Sequence, residues 1–123
     1  MYRLRRFNES DEKRYPIQIT QEEFFKKKST FRMIDWSDSQ RRALFQILDD
    51  KRSKRYGSFD FGICSEFVEI SSASGYFYEI VKLDDDWFTI IKQYNKGRFG
   101  GVGDEYFLAD EFEEVVNFLN RGI

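Results

Sequence analysis

The spacing of apolar residues changes near the middle of the chain, from a helical period to alternation. Before the change, ITQEEFFKK predicts a short helix that Thr20 caps, with Glu23 in the capping-box position. A longer helix is predicted from Ser37, with Gln40 in the matching position, to about Arg55. Its apolar stripe at helical spacing consists of Leu44, Phe45, Ile47 and Leu48.

Alternating segments fill the second half of the chain and predict strands. They are SFDFGIC, EFVEI, YFYEIVKL, DWFTIIKQY and, after a glycine-rich loop, EYFLA. A last helix is predicted from Asp110 as its cap, with Glu113 in the box position. Its predicted buried residues are Phe112, Val115, Val116 and Leu119. Two helices, an antiparallel meander of four to five strands and a C-terminal helix together predict an α+β domain.

The chain length of 123 residues predicts one domain. Residues 1–16 are charged and weakly periodic, which predicts a basic arm or an edge strand; residues 17–123 are predicted to form the single α+β domain. Cys64 lies in an apolar strand, where we expect a small buried hydrophobe. A lone cysteine and the lack of ~18 consecutive apolar residues predict an intracellular, cytoplasmic protein without a membrane span.

The net charge of -2 conceals an asymmetry between the halves of the chain. Residues 1–60 hold 15 Lys and Arg against 10 Asp and Glu, whereas residues 61–123 hold 5 against 12. Opposite charge lobes predict steering of a partner or head-to-tail association of copies. Chance placement on a solvated surface is the competing interpretation.

Three consecutive aspartates, Asp84 to Asp86, stand between two apolar stretches, and two interpretations compete for them. A metal site needs carboxylates that converge from separate elements, which Glu105, Asp110 or Glu111 would have to supply. A turn needs residues that bond nearby backbone amides and tolerate left-handed geometry, as aspartate does. Because adjacent strand-end side chains point in different directions, the sequence favours the turn, and we predict no metal or other cofactor.

The chain contains no histidine, which removes the commonest general base, the commonest metal ligand and every Ser-His or Cys-His nucleophile. No paired-carboxylate motif or activated nucleophile can be identified among the other residues. The sequence therefore predicts a protein that is not an enzyme.

The glycine-rich segment NKGRFGGVG lacks the lysine and hydroxyl of a phosphate-binding loop. One interpretation is a mobile hairpin connection. The other is a contact loop that presents Arg98 and Phe99 to a partner.

A basic segment lies on the second predicted helix and predicts an alternative function. Cations near a helix C-terminus suit the helix dipole, so structure alone explains part of it. Together with the arginines of the N-terminus the same residues predict a phosphate-binding patch, and hence a nucleic-acid-binding accessory protein. The residues of this alternative are Arg41, Arg42, Lys51, Arg52, Lys54 and Arg55.

Aromatic residues of the sheet predict a protein partner. Tyr76, Tyr78 and Trp87 are predicted to share one face of the meander, and with Arg98 and Phe99 they have the composition of interface hot spots. The competing interpretation is a sheet covered by helices on both faces. The sequence thus predicts a small non-enzymatic interaction module that binds a protein or self-associates, and no membrane.

The C-terminal pattern KLDDDWF…EYFLADEFEEVVNFL resembles a module in uncharacterised small proteins of large DNA viruses and protists. In that module an acidic hairpin with an aromatic pair precedes a strand, an Asp and an amphipathic helix. The resemblance covers about the last third of the chain, and Ala109-Asp110-Glu111 replaces the usual Cys-Asp-Gln. It implies a local fold and no activity, and it suggests a viral or phage accessory or inhibitor protein.

Overall fold

The computed structural model describes residues 14–54, 59–72, 74–94 and 103–123. Within these ranges the chain forms three helices and one six-stranded antiparallel sheet, which confirms the predicted α+β class. The helices are α1 Gln21–Thr30, α2 Asp38–Lys54 and α3 Phe112–Arg121. The strands are β1 Ile17–Ile19, β2 Asp60–Ile63, β3 Phe67–Ser71, β4 Phe77–Lys82, β5 Phe88–Gln93 and β6 Glu105–Ala109. None of the helices in those ranges combines the length and the apolar character that a membrane crossing requires.

The sheet has the strand order β1-β6-β5-β4-β3-β2, so β2 to β6 form a meander and β1 joins its far edge. Ile17 pairs with Leu108 and Ile19 with Tyr106, both antiparallel. The predicted count of four to five strands is therefore too low. β1 was missed because three residues are too few to show an alternating pattern. Of the predicted N-terminal arm, only residues 14–16 are described, and they lead into β1.

The predicted starts of α1 and α2 are confirmed. The Thr20 hydroxyl accepts a hydrogen bond from the Glu23 N–H at 3.1 Å, and the Glu23 carboxylate accepts one from the Thr20 N–H at 2.9 Å. Ser37 and Gln40 form the same reciprocal pair at 3.2 and 3.0 Å. Both helices thus satisfy orphan N–H groups of their first turn locally.

The predicted start of α3 at Asp110 is wrong. Glu111 is the N-cap residue and makes no capping hydrogen bond through its side chain. The Asp110 N–H, just after β6, donates to Glu114 Oε1 at 3.0 Å, so a side chain of the helix accepts from the backbone at the end of the strand. Glu114 is fully buried, which the apolar pattern of the helix did not predict.

One face of the sheet, called the α2/α3 face below, is closed by α2 and α3. Leu44 and Leu48 of α2 and Phe118 of α3 are buried against it. Trp36, which precedes α2, stacks on Phe88 with ring centroids 5.8 Å apart. The strand residues buried with them are Val68, Ile70, Tyr78, Ile80, Phe88, Ile90, Phe107 and Ala109.

Four apolar residues of the predicted helix stripes are not fully buried: Phe45 is exposed, and Ile47, Phe112 and Val116 are half-buried. Phe45 is 50% exposed, and its ring contacts Phe61 of the edge strand β2 at 5.8 Å between centroids. It lies beside the sheet edge rather than over the sheet, so the apolar stripe of α2 is narrower than predicted. Val116 is half-buried, while Val115 and Leu119 are buried as predicted.

The opposite face, called the α1 face, is only partly covered. Phe24 of α1 is buried, and its ring lies 4.9 Å from that of Tyr106. The cluster around it belongs to α1, β1, β5 and β6 and consists of Ile19, Phe24, Ile91, Tyr106 and Leu108. Lys28 extends this cover toward β4 by an ion pair with Glu79 at 3.4 Å. Val81 near the end of β4 and Leu83 after it are also buried on this face, so the uncovered part consists of β2, β3 and the first half of β4.

Candidate interaction groove

The uncovered part of the α1 face carries two parallel rows of side chains. One row crosses β2, β3 and β4 in register and contains Gly62, Glu69 and Glu79. The next row also reaches β5 and contains Asp60, Ser71, Phe77 and Gln93. Between them lies a cavity of about 430 Å³, the acidic groove, which these seven residues line together with Phe61, Ile70 and Tyr78. Its volume falls within the range of pockets that bind small groups.

Gly62 creates much of the space in the acidic groove. A Cβ atom built on this residue would meet no atom within 4 Å, although the strand on either side is regular. Glycine weakens a strand interior, since it has no side chain to pack, and it often marks a place where another group approaches. Gly62 therefore keeps the row open next to Glu69.

The charges of the acidic groove are unevenly paired. Glu69 and Glu79 lie directly opposite each other on β3 and β4. Glu79 forms the ion pair with Lys28, whereas no described residue forms an ion pair or hydrogen bond with Glu69, which is exposed. Asp60 closes the end of the groove, where its Oδ1 accepts from the Phe61 N–H at 2.9 Å and from the Arg52 guanidinium at 3.4 Å.

Gln93 forms the wall of the acidic groove nearest to the covered half of the sheet. Its side chain is 7% exposed, and its Nε2 donor has no hydrogen-bond partner among the residues that the structure describes. A buried polar group without a partner is unusual in a native structure, because its desolvation is not compensated. Phe77, its cross-strand partner, supplies an aromatic ring to the same row.

The prediction that Tyr76, Tyr78 and Trp87 share one face is wrong. Leu83 pairs with Trp87 across the turn, since the Leu83 N–H donates to the Trp87 carbonyl at 2.8 Å, so Trp87 lies on the α1 face. Tyr78 pairs with Lys92 on the α2/α3 face and is only 4% exposed. Its predicted role in partner binding conflicts with this burial, because a ring inside the core presents no surface to a partner.

The other predicted partner-binding residues have different surroundings. Tyr76 is half-buried at the end of the α2/α3 face, with its ring 5.6 Å from that of Tyr94 and the Lys92 ammonium 4.4 Å from its centroid. Trp87 is half-buried beneath Lys27, whose ammonium lies 4.7 Å from its ring. The predicted contact loop with Arg98 and Phe99 lies outside the described residues, and it follows Gln93 and Tyr94 in the chain.

The basic residues predicted to bind nucleic acid are mostly engaged within the protein. Arg52 pairs with Asp49 at 2.7 Å, and this hydrogen bond is the main cause that raises the pKa of Arg52 above its ordinary value. Lys54 pairs with Asp50 at 3.1 Å.

The remaining basic residues of that alternative differ in their surroundings. Arg41 donates to the Trp36 carbonyl at 3.2 Å, Arg42 is exposed, and Lys51 is half-buried. Arg55 lies outside the described residues. Nucleic-acid binding stays a prediction.

The three aspartates form the predicted turn. Asp86 has a positive φ of 70°, and its N–H donates to the Leu83 carbonyl at 2.9 Å. Asp85 accepts from the Trp87 N–H at 3.2 Å and forms an ion pair with Lys27 of α1. The carboxylates are thus used for the turn and for holding α1. Among the described residues, no group of three or more Cys, Asp or Glu could hold a metal ion.

The prediction that Cys64 is a buried hydrophobe is wrong, because its side chain is exposed. Cys64 follows β2, and its N–H donates to the Phe67 carbonyl at 2.8 Å at the start of the hairpin to β3. Cys64 follows Asp60 and Gly62 at alternate positions along the chain, so it lies on the same face as they do, away from α2 and α3.

The acidic groove was not predicted from the sequence. Gly62 inside an alternating strand was the available signal, because such a glycine often marks close approach of another group. Glutamates at alternate strand positions are typical of a solvent-facing row, and only the register shows that Glu69 and Glu79 lie opposite each other.

No protein-family model, curated protein or solved structure matches this chain, so these comparisons neither support nor oppose the resemblance of its last third.

Proposed function

We propose that this chain is a non-enzymatic protein-interaction module that binds its partner on the uncovered half of the α1 face. The observation that carries the proposal is the acidic groove, a cavity of about 430 Å³ over β2, β3 and β4. Concave sites with a few polar groups and an aromatic wall are where proteins preferentially receive a partner's side chain.

The composition of the groove supports a binding role over a purely structural one. Gly62 lowers stability in an isolated domain, and so does the Gln93 Nε2, which finds no partner in the described part of the chain. A directly opposed pair of glutamates does so as well. Three such features at one place are expected where a surface is shaped for a ligand rather than for folding alone. A viral or phage accessory or inhibitor role, and a cytoplasmic location, belong to the same proposal.

Site-specific photocrosslinking tests the location of the partner surface. A benzoylphenylalanine residue at position 67, where it replaces the half-buried Phe67 two residues before Glu69 on β3, is expected to capture a protein from an extract of the native host. The same residue at position 46, where Gln46 is exposed on α2 on the other side of the molecule, is the matched control. Equal capture from both positions would contradict the proposal.

Identification of the captured protein allows a second, quantitative step with purified components. Gly62→Val fills the acidic groove in the strand that borders it, and a Cβ there meets no neighbour within 4 Å. We expect the variant to keep or raise its melting temperature, because glycine weakens a strand, and to lose at least about tenfold in affinity, as loss of a well-packed contact does. An unchanged affinity would place the partner elsewhere on the molecule.

A further inference from the structure

The row of Gly62, Glu69 and Glu79 places two carboxylates face to face beside an empty position. Directly opposite residues on antiparallel strands have Cβ atoms about 5 Å apart, and like charges at that distance repel each other. Lys28 offsets the charge of Glu79 from one side only, at 3.4 Å. A second cation that enters over Gly62 would relieve the repulsion at Glu69.

Two uncharged groups restrict the chemistry of that cation. Phe77 presents an aromatic ring to the groove, and planar cations stack on such rings more readily than compact ammonium groups. The carboxylate of Glu69 can receive two parallel N–H bonds from a guanidinium group. Gln93 lines the same groove, and its buried Nε2 has no hydrogen-bond partner among the described residues; a rotation of this amide toward the groove would let it donate to a carbonyl oxygen of the same incoming chain. A cationic side chain attached to a peptide backbone has both features.

We propose that the acidic groove binds the guanidinium group of an arginine presented by the partner protein. This inference rests on the proposed function and names the chemistry of the partner. The local charge agrees with it, because three carboxylates line the groove, Asp60, Glu69 and Glu79, and among the described residues only Lys28 and Arg52 pair with them. An acidic surface attracts a basic partner over a longer range than the contact itself.

The probe for this site is N-acetylarginine amide, which carries the guanidinium group and two peptide carbonyls. Its neutral isostere, Nα-acetylcitrulline amide, is the matched control. Nα-acetyllysine amide, with a free side-chain ammonium group, tests the preference for a planar cation. In a titration followed by ¹H–¹⁵N spectra, we expect N-acetylarginine amide to shift the backbone amide signals of Gly62, Glu69 and Phe77 with a Kd on the order of 1 mM. Citrulline is expected to shift none of them, and lysine to bind more weakly than arginine.

Two variants separate the role of charge from that of shape. Glu69→Gln keeps the size of the side chain and is expected to weaken arginine binding by about tenfold, since a charge-assisted bond is lost. Gly62→Val is expected to abolish the shifts while the melting temperature is retained. Glu113→Gln, an exposed glutamate on α3, is expected to leave arginine binding unchanged.

The outcomes distinguish this inference from the proposed function. If Gly62→Val lowers the affinity for the purified partner but Glu69→Gln does not, the groove is the partner surface and the arginine assignment is overturned. Equal binding of arginine and citrulline, or shifts confined to other strands, overturns the assignment as well. Micromolar binding of the small probe itself would indicate a small-molecule site and would overturn the claim that a protein supplies the cation.

Discussion

The two faces of the sheet differ in how they are covered, although the strands between them are the same. On the α2/α3 face, two helices bury every apolar residue of β4 and β5, including Tyr78 and Ile90. On the α1 face, one ten-residue helix buries Ile91 and Tyr106 but leaves Phe77 half-buried beside the acidic groove. Phe77 and Tyr78 are adjacent in one strand. Their burial is therefore set by the helix above them and not by their own hydrophobicity.

Simple dimensions explain why the coverage is unequal. A helix is about 10 Å across and adjacent strands are about 4.8 Å apart, so one helix covers two to three strands. Two helices suffice for most of a six-stranded sheet, whereas α1 alone leaves half of its face open. The open half carries Asp60, Glu69, Ser71 and Glu79, polar residues of the kind expected on the solvated side of an antiparallel sheet.

The largest expected effect is the difference in stability lost when each of two adjacent rings, Tyr78 on one face and Phe77 on the other, is removed. Tyr78→Ala removes a ring that is 4% exposed and packs on Phe118 at 6.0 Å, so we expect a loss of about 3–5 kcal/mol in the free energy of unfolding. Phe77→Ala removes a half-buried ring from the same strand, with an expected loss of about 1–2 kcal/mol. Urea denaturation measures both. Equal losses would show that the α1 face is packed as closely as the other.

A second prediction concerns Trp87, which we first expected to bind a partner. Its ring packs on the cluster of the α1 face, with the Lys27 ammonium 4.7 Å away. We expect Trp87→Ala to lower stability by about 2 kcal/mol, between the two variants of β4, and to change partner affinity by less than about twofold. A variant of normal stability that fails to bind the partner would restore the original assignment.

The placement of Trp87 shows what could be predicted from the sequence and what could not. The turn at Asp84 to Asp86 and the strands on both sides of it were predicted from alternation and turn residues. Which rings share a face depends on the number of residues in the turn. Three turn residues pair Leu83 with Trp87 and put odd-numbered residues together, whereas a two-residue turn would reverse the alignment. No local pattern gives that count.

The helices were predictable for a different reason. The capping boxes at Thr20 and Ser37 are local, so their residues are visible in the sequence and were confirmed. The position of α1 across the sheet is not local, since it depends on Phe24 packing against β5 and β6 and on ion pairs to the hairpin. The acidic groove exists because of where α1 ends, and that is why its residues were missed.

A third prediction tests how α1 is held against the sheet. Asp85 forms an ion pair with Lys27, and each side chain is 19% exposed, so Asp85→Asn is expected to lower stability by about 1 kcal/mol. Asp84→Asn is the matched control in the same turn. Its partner Arg32 is 88% exposed at 3.8 Å, and the expected change is within about 0.5 kcal/mol. Thermal melts check both, and added Mg²⁺ should not raise either melting temperature; a metal-dependent rise would contradict the turn interpretation.

The smallest expected effect has the opposite sign and concerns the two opposed glutamates. Glu69→Gln removes a like-charge contact with Glu79 and no described ion pair, so we expect it to raise stability by a few tenths of a kcal/mol, about 0.3 at low salt. In 1 M salt, where charges more than about 3 Å apart are screened, the gain should disappear. Glu79→Gln relieves the same repulsion but also loses the pair with Lys28, and it is expected to give no gain. If Glu69→Gln were destabilising instead, Glu69 would have a role in folding. A gain in stability together with a loss of arginine binding would show that this carboxylate is kept at the groove at a cost to the fold.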